Sequence, residues 1–103
     1  MRDISHPELD TVPVTGVLNA LSDPIRLRIV KALVEHGGEM SCGDFNLPIA
    51  KATASHHFKV LREAGIIVCV AKGTMRMTSL NREELDRRFP TLLDTVLNAV
   101  GPV

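Results

Sequence analysis

Tryptophan and tyrosine are absent from this sequence, and the only aromatic residues among its 103 are three phenylalanines. A chain so poor in flat side chains lacks the stacking platforms on which single-stranded nucleic acids are usually held. Cysteine is nearly as scarce: Cys42 and Cys69 are too few for a small secreted scaffold built on disulfides. No stretch approaches the ~18 apolar residues of a membrane-spanning helix. The opening residues Met1-Arg2-Asp3-Ile4-Ser5-His6-Pro7-Glu8 carry no apolar run suited to export. A soluble, cytoplasmic protein with reduced thiols and no membrane association is therefore expected. Net charge is missing as well, since twelve Lys and Arg balance twelve Asp and Glu. Overall charge thus says nothing about a nucleic-acid partner, and only its distribution can.

What is present suits one folded domain. The chain is 45% hydrophobic and 23% charged, which excludes disordered and low-complexity classes. Its length accommodates one domain, 1–103, and not two. There are no internal repeats. Residues 1–13, polar and interrupted by Pro7 and Pro13, read as a loose lead-in.

From Val14 the apolar residues Val14, Val17, Leu18 and Leu21 recur at helical spacing, predicting a short first helix over 14–21. Ser22-Asp23-Pro24 restarts the chain: Asp23 can cap exposed amides, and Pro24 suits the first helical position because it has no N–H to satisfy. The second helix buries Ile25, Ile29, Val30, Leu33 and Val34, leaves Arg26, Arg28 and Lys31 largely outside, and stops at Gly37-Gly38. Glu39-Met40-Ser41 is long enough for a stub of strand. Ser41 and Asp44 form a variant capping box that opens a helix from about Cys42 to Leu47, ended by Pro48. A further helix runs from Ala50 or Lys51 to Ala64, with Ala54, Phe58, Leu61 and Ala64 as its apolar face.

The period then changes from 3.6 to 2. Residues 66–71 and 74–79 read as a hairpin turning at Lys72-Gly73. That turn pairs Val70 with Met75 and Val68 with Met77 on an apolar face, leaving Cys69, Thr74, Arg76 and Thr78 on the other. Asn81 caps a final helical region that Pro90 divides, with Leu92, Leu93, Val96, Leu97 and Val100 as its stripe. The predicted fold is mainly α with a small β-hairpin wing: a winged helix-turn-helix. The first and last helices, 14–21 and 82–100, carry more apolar surface than a small helical unit needs, which makes them the expected dimer interface.

Charge collects in one place. Residues 51–76 hold Lys51, Lys59, Arg62, Lys72 and Arg76 against the single acid Glu63. Lys51, Ser55, Lys59 and Arg62 follow at helical spacings and share a face, with His56 beside Ser55. A helix polar and basic on one side and apolar on the other fits a major groove while staying anchored to its domain. Lys72 and Arg76 on the hairpin would reach flanking phosphates or the minor groove. His57, nearer the apolar face, is expected to be a hydrogen-bonded packing residue.

Two long blocks resemble the arsenic-repressor (ArsR/SmtB-type) family of bacterial winged-helix regulators. Ala20-Leu21-Ser22-Asp23-Pro24-Ile25-Arg26-Leu27-Arg28-Ile29-Val30 is similar to the family's "ALxDPTRLRIL" helix. Ser55-His56-His57-Phe58-Lys59-Val60-Leu61-Arg62-Glu63-Ala64-Gly65-Ile66 is similar to its "SxHLKVLREAGL" block. With the hairpin, the resemblance covers about residues 14–80. It implies a homodimeric DNA-binding regulator, usually a repressor released by an effector, on an inverted-repeat operator in double-stranded DNA. Carried over by position, its base-reading residues fall on Lys51, Thr53, Ser55 and His56. The family commonly has Ser where this chain has Ala50, and the weaker cap costs about 1 kcal/mol.

The family's metal-sensing members carry a Cys-Val-Cys type triplet before the recognition helix, or Asp/His pairs on the last helix. Here the triplet region reads Ser41-Cys42-Gly43, and residues 82–100 hold neither His nor Cys. A soft metal needs three or four converging thiolate or imidazole ligands, so neither a metal site nor another cofactor is expected. Cys42, in the first turn of its expected helix, is either an oxidisable thiol or a small apolar turn residue. Cys42 and Cys69 would lie two strand spacings apart, roughly 9–10 Å, too far for a disulfide without rearrangement. An enzyme is not expected: Ser55 and His56 diverge on their helix, and no oxyanion-binding glycine turn accompanies them. The alternatives to an effector-released repressor are a winged-helix protein-interaction module without specific DNA binding, and a thiol- or metal-responsive sensor using Cys42. No effector is identifiable.

Overall fold

In the computed structural model of this chain, residues 11–100 are described. Most of the expected lead-in, His6 included, lies outside them. The remainder of it is not loose, for Val12 is only 7% exposed and belongs to the core. After Pro13 the chain enters α1 (Val14–Ala20), which buries Val17 and Ala20. Helix α2 (Pro24–His36) starts as the sequence requires, with the Asp23 carboxylate accepting from the amides of Ile25 at 2.8 Å and Arg26 at 3.1 Å. It ends at Gly37, whose φ of 82° is a conformation that costs other residues a clash with their own Cβ. Ile29, Val30 and Leu33 are buried as expected, but Val34 is 37% exposed. Arg26 departs further: it is half-buried and hydrogen-bonded inside the fold.

The strand stub β1 (Met40–Ser41) leads into a single 3-10 turn, Cys42–Phe45, where a helix to Leu47 was expected. The capping box does form, with Asp44 Oδ2 accepting from the Ser41 amide at 3.1 Å. Gly43 resists propagation, and Asn46 at φ 52° turns the chain out of the helical path before Pro48 is reached. Helix α3 (Lys51–Glu63) follows, with Ala50 as an N-cap that offers no side-chain acceptor. Strands β2 (Ile67–Lys72) and β3 (Met75–Leu80) complete an antiparallel sheet in the order β1-β3-β2.

The hairpin register differs from the sequence reading. Lys72 pairs with Met75 and Val70 with Met77, so Gly73-Thr74 is the turn. A turn centred on Lys72-Gly73 would ask Lys72 for the left-handed region, or leave the glycine where positive φ is not needed. Moving it by one puts Gly73, at φ 63°, in the first central position of a II′-like turn. The shift preserves parity, so Cys69, Arg76 and Thr78 still share a face. That face, however, is the core-facing one at Ile67, Cys69 and Thr78, which are at most 2% exposed. The Val68, Val70 and Met77 face is the half-exposed one.

Helices α4 (Arg82–Arg88) and α5 (Leu92–Val100) pack back over the first two. The division at Pro90 is as expected, but Asn81 caps nothing with its side chain and donates instead to the Gly65 carbonyl at 3.0 Å. Ile29, Leu33, Leu61, Ile66 and Ile67 are fully buried at the junction of α2, α3 and β2. Each such aliphatic side chain contributes about 1.5–3 kcal/mol by leaving water, and together they hold α3 on its frame. Among the described residues no helix is long and apolar enough to cross a membrane.

Candidate nucleic-acid interface

Helix α3 is fixed from behind by three different kinds of contact. Leu61 and Phe58 enter the core, and Phe58 meets Phe45 edge-on, with ring centroids 5.2 Å apart at 66°. His57 is buried as expected, and its Nδ1 lies 3.2 Å from Arg26 Nη1. Arg26 Nε also donates to the Ala20 carbonyl at 2.7 Å, and Nη2 to the Asn19 carbonyl at 3.2 Å. One guanidinium therefore ties the end of α1, the start of α2 and the middle of α3. Sequence reasoning missed this role; the approach of Arg26 to a histidine thirty-one positions away has no local signature.

Asp23 completes the cluster, 3.8 Å from His57 Nδ1. Burial alone would raise its pKa. The Arg26 and Ile25 amide bonds, with the His57 and Arg26 side chains nearby, outweigh that and hold the carboxyl below its ordinary value.

With one side of α3 so engaged, the other is open. Lys51, Thr53, Ser55, His56 and Lys59 are all exposed, and Arg62 is half-buried. Thus the structure displays together the base-reading candidates carried over by position. Lys51, Ser55 and Arg62 lie towards the turn after Cys42 and the wing, where they line a cleft, whereas Lys59 does not. On the wing, Lys72 and Arg76 are exposed. Lys72 is not an unopposed cation: its Nζ sits 2.6 Å from Glu39 Oε1, an acid that the charge count of residues 51–76 does not include.

The two thiols lie closer in kind than strand spacing suggested. They form no disulfide, but both point at one hydroxyl: Thr78 Oγ1 is 3.9 Å from Cys42 Sγ and 3.7 Å from Cys69 Sγ. Strand β3 does separate β1 from β2 as expected. Burial pushes the Cys69 thiol up, against the opposing pull of the Thr78 hydrogen bond and the Arg62 and Arg76 guanidiniums. Cys42 is exposed, at the start of a four-residue turn rather than of a helix. Among the described residues no group of three or more His, Cys, Asp or Glu could hold a metal ion.

A family profile described as a helix-turn-helix domain matches residues 21–70. The HTH-type transcriptional regulator YceK of Bacillus subtilis (strain 168) is 38% identical over 82 residues, 78% of this chain and 82% of that one. The arsenical resistance operon repressor of Staphylococcus xylosus is 34% identical over 85 residues, 81% of this chain and 75% of that protein. Among solved structures, the transcriptional repressor BigR from Xylella fastidiosa superposes with a TM-score of 0.66 at 29% identity, over 87% of each chain.

Proposed function

We propose that this chain, which belongs to the ArsR-type (arsenic-repressor) family of winged helix-turn-helix transcriptional regulators, acts as a homodimer on an inverted-repeat operator. It is a DNA-binding repressor and not an enzyme. The observation that carries the reading is the division of α3. Its back is locked to the frame by Phe58, Leu61 and His57, while Lys51, Thr53, Ser55, His56 and Lys59 stand exposed on the other side. A rigidly held helix with five polar side chains free of the core fits the major groove. Lys51, Thr53, Ser55 and His56 read base edges, and Lys59, Arg62, Lys72 and Arg76 contact the phosphates on either side.

The dimer rests on α1 and α5. Val14 and Leu18 on α1 are 44% and 45% exposed. Leu92, Val96, Leu97 and Val100 on α5 are only partly covered, and a second copy supplies the missing cover. Two recognition helices about 34 Å apart would then meet successive major grooves. Such a regulator works in the cytoplasm, where the DNA is, and is released by an effector.

Fluorescence anisotropy on DNA from upstream of the protein's own gene, against a scrambled duplex at matched salt, tests the assignment. Preference for the operator of ~10³-fold or more is expected. Lys51→Ala and Ser55→Ala weaken operator binding more than binding to the scrambled duplex; equal losses on both would defeat the base-reading roles.

A further inference from the structure

A cleft of about 590 Å³ opens between the turn after Cys42, α3 and the wing. Its chemistry is one-sided. Leu47, Ile49, Ala54 and Phe58 form an apolar floor, while Lys51, Arg62 and Arg76 bring three cations and no acidic residue lines it. The volume is that of a small-molecule pocket, and an apolar body with a few convergent polar groups is the usual composition of one. Arg62 adds an independent sign. Its Nε is buried, and no acceptor among the described residues reaches it. A buried guanidinium donor without a partner is uncommon, because the group has lost its water without replacement.

From this arrangement we propose that the cleft is an effector site for a small amphipathic carboxylate. The carboxylate pairs with the Arg62 and Arg76 guanidiniums, whose planar donor pairs match its two oxygens. The hydrocarbon or aromatic body lies along Leu47, Ile49, Ala54 and Phe58. Arg62 from α3 and Arg76 from the wing both line this cleft, with Cys69 between the same walls. Inorganic anions gain the first half of this interaction and not the second, so an apolar tail distinguishes the ligand.

The site lies where it can control DNA binding, a consequence that rests on the DNA-contact reading given above. Lys51 and Ser55 line the cleft and also belong to the candidate base-reading set, and Arg76 belongs to the wing. A bound carboxylate neutralises cations that the phosphates would otherwise meet and fills space beside the first turn of α3. Each ligand therefore weakens the other by the same factor, as linkage requires.

Two measurements on the full chain test the proposal, with 4-phenylbutyrate, octanoate and hexanoate as probes and their neutral amides as controls. In amide-resolved NMR titrations without DNA, the carboxylates are expected to shift resonances of residues 42–55, Arg62, Cys69 and Arg76. Arg62→Gln and Arg76→Gln should each weaken the carboxylates roughly tenfold and leave the weak amide binding unchanged, about 1.4 kcal/mol by the standard conversion. Arg76, exposed on the wing, is the variant least able to disturb folding, and the rest of its spectrum reports that directly. Equal binding of acids and amides, shifts elsewhere, or no shift with any of the three acids at millimolar concentration overturns the site. Anisotropy with a labelled operator then separates the two readings. Release of operator DNA by the acids and not the amides supports the coupling. Carboxylate binding in the cleft that leaves operator affinity unchanged overturns the coupling alone. Failure of the unliganded protein to bind any operator defeats the DNA reading without touching the cleft.

Discussion

Glu39→Gln is the substitution that most directly tests how the wing meets DNA. In the free protein Lys72 Nζ lies 2.6 Å from Glu39 Oε1, with the two side chains 55% and 40% exposed. To reach a phosphate, the ammonium must leave this partner, so part of its attraction for DNA is already spent. An exposed pair of this kind is worth ~0.2–1 kcal/mol. Removing the acid should therefore tighten binding by about 1.4- to 5-fold, on operator and scrambled DNA alike. Lys72→Ala acts in the opposite direction and lowers the slope of log affinity against log salt by about 0.9. The decisive comparison is the double variant. Once Lys72 is gone, Glu39→Gln should have little effect, because its influence acts through that one contact. Anisotropy titrations of all four proteins over a range of salt concentrations measure this. If Glu39→Gln tightens binding equally with and without Lys72, the pairing argument fails, and the acid acts only through its general negative charge.

Asp23→Ala removes the acceptor for two amides and should cost about 1 kcal/mol, a fall in Tm of roughly 4–8 °C for a domain of this size. Asp23→Asn keeps a capping oxygen and should cost less. Because the folded carboxyl titrates below its ordinary value, its charge contributes stability that is fully present above pH ~4 and is lost as pH falls through the folded-state pKa. The stability gap between wild type and Asp23→Asn should close on acidification, and a gap constant with pH would contradict the assignment. At the proposed dimer interface, Leu18→Glu should yield a folded monomer by light scattering. A wild-type chain that is itself monomeric, or a Leu18→Glu chain that remains a dimer, would remove α1 from that interface.

The elements most legible in the sequence are those governed by local chemistry. Asp23-Pro24 and Gly37 bound α2 because a capping carboxylate, an amide-free first residue and a left-handed glycine act within a few residues of chain. Helix α3 was equally plain, since its apolar and polar residues separate at a period of 3.6. His57 could be assigned to the packed side by the same argument, and the exposed set from Lys51 to Lys59 followed from it. The element at Cys42–Phe45 is a single 3-10 turn, shorter than its start signal implies. Its capping box is a real helix start, but a start signal says nothing about how soon Gly43 and Asn46 end the element.

What the sequence by itself determined was the order and amphipathicity of the elements, the concentration of cations in α3 and the wing, and, through two extended motifs, the family. These depend on residues near one another in the chain, where capping, turn preference and side-chain period act directly. What the tertiary structure decided depends on contacts between distant segments. Arg26 turned inward because α1 and α3 present it with two carbonyls and a ring nitrogen. The β2–β3 face that reads as polar became the buried one because α2 and α3 cover that side of the sheet. Glu39, just before β1, met Lys72 of the wing at 2.6 Å, and Arg62 of α3 came to line one cleft with Arg76 of the wing, because packing brings together side chains from separate segments.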